Sequence, residues 1–211
     1  MPQATDKIFE FSKPDIEKQP SFRSLVDIPD DIVEDISGKG KKYGIESIKP
    51  FRVEKFEFGE WVGLKCRYGC SQFGTNWSCP PATPDISQAR EIIGEYSIAL
   101  LLVGTQKCTN FYVNNTKKRS EQVRYWKGTV SIERQLFLHG YDKAFSLVAG
   151  SCALCKECAY PEACFFPTEK RPTIESLGID VIGTLKNLGI DTKVAKDPKD
   201  LFKYYAVILL V

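Results

Sequence analysis

The sequence is poor in several features that define common functional classes. It contains one histidine, His139, among 211 residues, so sites built from several imidazoles, including Cys2His2 zinc fingers, are excluded. The formal net charge is only +2, which gives no overall attraction to nucleic acid or to anionic lipid. No apolar run reaches the roughly 18–20 residues that a membrane-spanning helix needs. We therefore expect neither nucleic acid nor a membrane as a partner.

Signals for targeting and for phosphate binding are also missing. The first residues, from Met1 to Lys7, lack the apolar core of a secretory signal, so a cytoplasmic location is predicted. In that compartment, clustered thiols bind metal more often than they form disulfides. No glycine-rich phosphate loop or dinucleotide motif is present. The short basic runs at residues 39–42 and 117–119 are interpreted as solvated chain.

Cysteine is what the sequence has in quantity. Seven of its eight cysteines form two compact groups, with the spacings C-x3-C-x8-C and C-x2-C-x2-C-x5-C. The grouped residues, which are the predicted metal ligands, are Cys66, Cys70 and Cys79 in the first group and Cys152, Cys155, Cys158 and Cys164 in the second. Cys108 stands apart and is interpreted as a buried thiol beside a strand end.

The spacing of the second group favours an iron–sulfur cluster. Thiolates are soft ligands that suit both iron–sulfur clusters and zinc, and C-x2-C-x2-C matches part of the bacterial ferredoxin motif. The gap before Cys164 is five residues instead of three, and phenylalanine rather than proline follows it, so the match is partial. Structural zinc usually takes two cysteine pairs separated by a dozen or more residues. A [4Fe–4S] cluster is therefore predicted, with zinc as the alternative cofactor.

The first group supplies only three thiols, which leaves several functions open. A fourth ligand could come from Cys164 or Cys108, or one iron could stay open and bind a substrate. The leading hypothesis is a protein with one or two [4Fe–4S] clusters that transfers electrons to a redox partner protein. The alternatives are an enzyme that binds its substrate at an open-site three-cysteine cluster, and a zinc-stabilised interaction module.

The apolar pattern predicts one domain of mixed helices and strands. Residues 1–28 are interpreted as an extended N-terminal arm that packs on the body or on a partner chain, which leaves a homo-oligomer open, and residues 29–211 as a single domain. The first predicted elements are a helix from Asp30 that ends at Gly38 and Gly40, and two strands within 45–65 joined by a turn at Gly59-Glu60. A helix capped by Thr83, a strand at 97–103, a helix at 120–144 and a strand at 144–149 follow. The last predicted elements are a helical turn at 173–177, a helix at 181–188 and a strand at 204–211.

The rough alternation of these elements favours the α/β or α+β class. We expect a two-layer sandwich of a central sheet and helices with two cysteine-rich metal-binding loops. Because each cysteine group follows a predicted strand, the two groups could meet at one edge of the sheet.

Motifs around the cysteines resemble a known family. The segments that carry the resemblance are Arg67-Tyr68 and residues 76–81, 150–161, 171–172, 175–180 and 186–190. They are similar to a prokaryotic family of cysteine-rich predicted metal-binding proteins of unknown function (domain of unknown function 2284), found mostly in anaerobic bacteria and archaea. The resemblance covers roughly residues 45–211 and implies metal binding through these cysteines. Arg67, Tyr68, Asn76 and Trp77 are candidates for tuning the site or excluding solvent from it.

Overall fold

The computed structural model describes residues 28–107, 116–192 and 201–211. The N-terminal arm predicted for residues 1–28 lies outside these ranges except for its last residue, and so does Cys108. Both interpretations therefore stay predictions.

A four-stranded antiparallel sheet forms the centre of the molecule. Its strands are β1 (Ile45–Arg52), β2 (Ile98–Lys107), β3 (Phe145–Leu147) and β4 (Leu201–Leu209). They are arranged in the order β1-β2-β4-β3, and each neighbouring pair is antiparallel. Residues 98–103 of β2 and 204–209 of β4 are continuous apolar runs, and apolar clusters that include the helices cover both of their faces.

Helices pack against both faces of this sheet. The helices that the structure describes are α1 (Asp30–Lys42), α2 (Glu60–Gly69), α3 (Ile86–Gly94), α4 (Thr116–Leu138) and α5 (Val181–Asn187), with short 3-10 turns at Val53–Lys55 and Glu175–Leu177. One core cluster joins α1 and α4 to the sheet, and a second joins α3 and α5 to the opposite face. The α+β class is confirmed, and helices on both faces add a layer to the expected sandwich.

The predicted hairpin at Gly59-Glu60 is wrong, because residues 60–69 form α2 instead of a strand. Gly59 has an extended backbone and serves as the N-cap residue of this helix. Of the apolar side chains that suggested a strand, Trp61 and Leu64 are 47% and 60% exposed, whereas Val62 is buried. A helix rather than a strand therefore delivers Cys66.

Other differences concern the ends of elements. The helix predicted from Thr83 begins at Ile86, where Asp85 and Gln88 form a capping box: Asp85 Oδ1 accepts from the Gln88 N–H, and Gln88 Oε1 accepts from the Asp85 N–H. Helix α1 continues past Gly38 to Lys42. The predicted strands at 97–103, 144–149 and 204–211 correspond to β2, β3 and β4. Within the described residues, no helix combines the length and apolar character required to cross a bilayer.

Candidate metal centre

The second cysteine group lies in an irregular loop that starts after β3 and closes on itself. The backbone N–H of Val148 donates to the carbonyl of Pro172 at 3.0 Å, and that of Ile174 donates to the carbonyl of Val148 at 3.2 Å. Val148 and Thr173 form an isolated parallel bridge at this point. The hydrogen bonds hold residues 149–171 as one closed loop that contains all four cysteines of the group.

The four thiols of this loop line a single open cavity of about 360 Å³. One water molecule needs roughly 10–15 Å³ of such space, so the cavity can hold a group much larger than a water or a single ion. Its cysteine lining is Cys152, Cys155, Cys158 and Cys164. Part of the remaining wall comes from the segment between Cys70 and Cys79, including Asn76 and Trp77.

Helix α4 holds the loop in place through side chains near its N-terminal half. Arg119 donates from Nη2 to the carbonyl of Leu154 at 3.0 Å, and Gln122 donates from Nε2 to the carbonyl of Ser151 at 2.6 Å. The indole of Trp126 is buried and packs in one apolar cluster with Leu154. These contacts fix the backbone on both sides of the first cysteine of the loop.

The electrostatic environment of the loop thiols combines burial with mutual repulsion. Burial, followed by the charges of Cys158 and Cys164, raises the pKa of Cys155, whereas the Arg119 guanidinium lowers it. Burial likewise raises the pKa of Cys152. A site that accepts several thiolates needs compensating positive charge, which a bound metal and Arg119 would both supply.

The first cysteine group is presented by α2 and the turn that follows it. Cys66 lies in α2 and Cys70 is the C-cap residue of the same helix; positions four apart lie on the same side of a helix. Cys79 is buried. Burial raises the pKa of Cys66 and raises that of Cys79 to about 11, and the charges of Cys70 and Glu175 add to both shifts.

Glu175 is the acidic residue whose charge raises the pKa of both Cys66 and Cys79. Its 3-10 turn packs against α2, and the hydroxyl of Thr83 donates to the carbonyl of the next residue, Ser176, at 3.3 Å. The turn is thereby placed between the helix that carries Cys66 and the segment that follows Cys79.

The two cysteine groups are connected directly by the residues before Cys79. Trp77 donates from Nε1 to the carbonyl of Glu162 at 2.9 Å, and its ring meets that of Tyr160 edge-on at 5.1 Å between centroids. The carbonyl of Ser78 accepts a hydrogen bond from the N–H of Thr173 at 3.2 Å. The first segment is thus joined to both the interior and the end of the second loop.

The four residues expected to tune the site fall into two pairs. Asn76 and Trp77 line the cavity of the second group, and their tuning role stays a prediction. Tyr68 is 80% exposed, and Arg67 stacks on the ring of Phe73 at 5.9 Å, so neither faces that cavity.

The donor set fits a soft metal. All seven cysteines of the two groups are free thiols, and thiolates prefer zinc or iron–sulfur clusters over hard cations. Among the residues that the structure describes, no three Cys, His, Asp or Glu side chains stand close enough to enclose one metal ion. The seven cysteines remain the predicted ligands.

Three residues near the thiols were missed from the sequence: Ser78, Arg119 and Glu175. Arg119 belongs to the basic run at 117–119 that was interpreted as solvated, yet it interacts with Cys155. Ser78 and Glu175 belong to no cysteine spacing pattern. Their positions depend on contacts between distant segments, which no local pattern of residues reveals.

Fold and site together define a class: a cysteine-rich α+β protein with a thiol-lined cavity. The chain belongs to the family described as predicted metal-binding protein (DUF2284), whose model matches residues 49–210. Neither a curated protein nor a solved structure matches the chain. Metal binding is therefore the activity that the family assigns.

Proposed function

We propose that this protein binds one or two [4Fe–4S] clusters through its two cysteine groups and transfers electrons to a redox partner protein. The observation that carries the proposal is that all four second-group cysteines line one cavity of about 360 Å³. Cys152, Cys155, Cys158 and Cys164 hold one cluster, whose ligand spacing is close to that of ferredoxins. Structural zinc is usually held in a closed four-ligand site, whereas this cavity is open.

When bound, the cluster supplies a one-electron carrier, and the chain supplies its surroundings. Arg119 offsets negative charge near Cys155, while Leu154 and Trp77 form part of the cavity wall. Hydrogen bonds and charge near the sulfurs set the reduction potential of such a centre. The cavity is open, so a partner protein in the same compartment, which we propose to be the cytoplasm, can approach the centre.

Anaerobic purification followed by iron and acid-labile sulfide analysis tests this proposal. We expect about four iron atoms and four sulfides for each occupied group, with broad visible absorption that bleaches on reduction. Cys155→Ser should remove the second-group cluster and Cys70→Ser the first-group cluster. Ser71→Ala serves as the control, because Ser71 lines the same cavity but is not a predicted ligand. A colourless protein that carries only zinc would refute the proposal and favour a zinc-stabilised module.

The first group favours a second candidate, an enzyme whose open iron binds substrate. Among the described residues it has three thiols, and Cys70 is exposed, so a ligand from solvent can reach it. We expect Cys164→Ser to disturb only the second-group cluster, because Cys164 lines that cavity. If neither Cys164→Ser nor Cys108→Ser changes the first cluster's spectrum, an exchangeable site is supported; loss of that cluster in either variant supports a closed electron carrier.

A further inference from the structure

The segment between Cys70 and Cys79 belongs to both cysteine sites. Two predicted ligands of the first group bound it, and part of it forms a wall of the cavity that the second-group cysteines line. Its cavity-lining residues are Ser71, Gln72, Thr75, Asn76 and Trp77. A metal centre held by the first group therefore fixes the ends of a segment that also shapes the second site.

Hydrogen bonds within this segment brace it as one unit. The N–H of Gly74 donates to the carbonyl of Pro80 at 2.9 Å. Asn76 is 2% exposed; its Nδ2 donates to the carbonyl of Gln72 at 3.3 Å, and its Oδ1 accepts from the N–H of Ser78 at 3.0 Å. Because the segment is braced in this way, a change in the position of its ends is transmitted to its middle.

The side chain of Trp77 joins this segment to the second loop at two places. Its Nε1 donates to the carbonyl of Glu162 at 2.9 Å, and its ring meets that of Tyr160 edge-on with 5.1 Å between centroids. Both partners lie between the third and fourth cysteines of the loop. The Nζ atom of Lys170 lies over the indole, 4.3 Å from its centroid, and Lys170 itself lines the cavity. One indole therefore contacts both the interior and the end of the loop.

Resting on the two-cluster form of the proposed function, we propose that Trp77 couples the two cysteine groups, so that a cluster bound by either group strengthens binding by the other. Each metal-free group must order its ligands when it binds, and this ordering costs conformational entropy. A cluster in one group orders one of the two segments that meet at Trp77. The indole then restrains the other segment, so the second binding event costs less ordering. Trp77 is thus a positioning residue and not a ligand.

Native mass spectrometry of protein reconstituted without oxygen tests the coupling before any substitution is made. The metal-free protein receives half of the iron and sulfide that would load both groups, and the forms with no, one and two clusters are quantified. Independent groups leave at least half of the protein in the one-cluster form at half loading, whatever their separate affinities. For groups of similar affinity, coupling of about 5–150-fold leaves only about 10–30% of the protein in that form.

Substitution of the indole assigns the coupling to Trp77. We expect Trp77→Phe, which loses the N–H to Glu162, to raise the one-cluster fraction, and Trp77→Leu, which also loses the aromatic ring, to raise it to half or more. Trp61→Phe is the matched control, because Trp61 also has a lysine over its ring, but that residue, Lys65, belongs to the same helix. We expect no change in that variant. A general loss of stability would lower the loading of both groups and leave the one-cluster fraction at half loading low.

The possible results separate this inference from the proposed function. A one-cluster fraction of half or more in the unchanged protein, or a low fraction that stays low in Trp77→Leu, would overturn the inference while leaving an iron–sulfur protein in place. Protein that never loads beyond one cluster would overturn it too, because only one group would then hold a cluster. Protein purified without iron and sulfide would instead overturn the proposed function itself.

Discussion

Among individual residues, Cys79 shows how burial keeps a predicted metal ligand protonated in the metal-free protein. Burial is the main cause that raises its pKa from 9.0 to about 11, and a hydrogen bond from Asn76 only partly opposes this. At neutral pH the metal-free protein therefore holds Cys79 as the neutral thiol. Since a metal binds the thiolate, binding must release this proton, and the affinity for metal should rise with pH.

Alkylation of the metal-free protein checks this shift. We expect the rate of iodoacetamide labelling at Cys79 to keep rising with pH up to about 11, whereas in urea it should level off above 9.0. Because the folded state holds this proton more tightly, its contribution to stability is complete below 9.0 and lost as the pH approaches 11. Site-resolved mass spectrometry gives the rates, with exposed Cys70 as the internal comparison. A labelling profile at Cys79 that is the same with and without urea would contradict the shift.

Between elements, a buried ion pair ties the end of the second loop to the body of the protein. Arg171 binds both carboxylate oxygens of Glu133 on α4, with Nε to Oε2 at 2.8 Å. The side chains are only 11% and 9% exposed. Glu133 Oε2 also accepts the backbone N–H of Ser146 on β3 at 2.7 Å. One carboxylate therefore joins α4, β3 and the residue that closes the cysteine loop.

Removing this carboxylate should destabilise the fold strongly. Glu133→Ala leaves a mostly buried guanidinium without its partner, a change that typically costs about 3–5 kcal/mol. Urea unfolding of the metal-free protein measures it. The nearby pair Arg134–Glu169 is 50% and 25% exposed at 4.0 Å, so Arg134→Ala should cost no more than about 1 kcal/mol. Equal losses in the two variants would show that the buried pair has no special role.

Element packing also explains a glycine that local propensity disfavours. Gly128 lies inside α4, where glycine weakens a helix. A Cβ at this position would overlap the side chain of Tyr43, which follows α1. The close approach of α1 to α4 therefore requires glycine here.

For the whole molecule, the main core and the cysteine site are separate in space. Two large apolar clusters cover the faces of the sheet. The second cysteine loop instead packs on a small cluster around Trp126, Val130, Val148 and Leu154. Most of the hydrophobic stabilisation thus belongs to the sheet and its helices, and the loop depends more on hydrogen bonds and on bound metal.

Hydrogen exchange before and after metal removal tests this division. We expect faster exchange in residues 149–171 and in the segment from Cys66 to Cys79 once metal is removed, because the ligands no longer hold these segments together. The amides of β2 and β4 should stay protected, since both strands are central in the sheet. Loss of protection throughout the sheet would show that metal is required for the entire fold.

The sequence by itself determined the features that depend on short spacing. The C-x2-C-x2-C pattern singled out thiols that do line one cavity, and the apolar runs predicted the central strands β2 and β4. The α+β class followed from the same periodicity. Such features are readable because each is specified by neighbouring residues.

Only the tertiary structure decided how these parts meet. It made residues 60–69 a helix despite their strand-like pattern, and this helix buries Val62 while Trp61 and Leu64 stay exposed. It placed Trp77 against the carbonyl of Glu162 and Arg119 against the carbonyl of Leu154, residues too far apart in the chain for any spacing rule. Contacts of this kind arise from the packing of whole elements, so they are fixed by the fold and not by the local sequence.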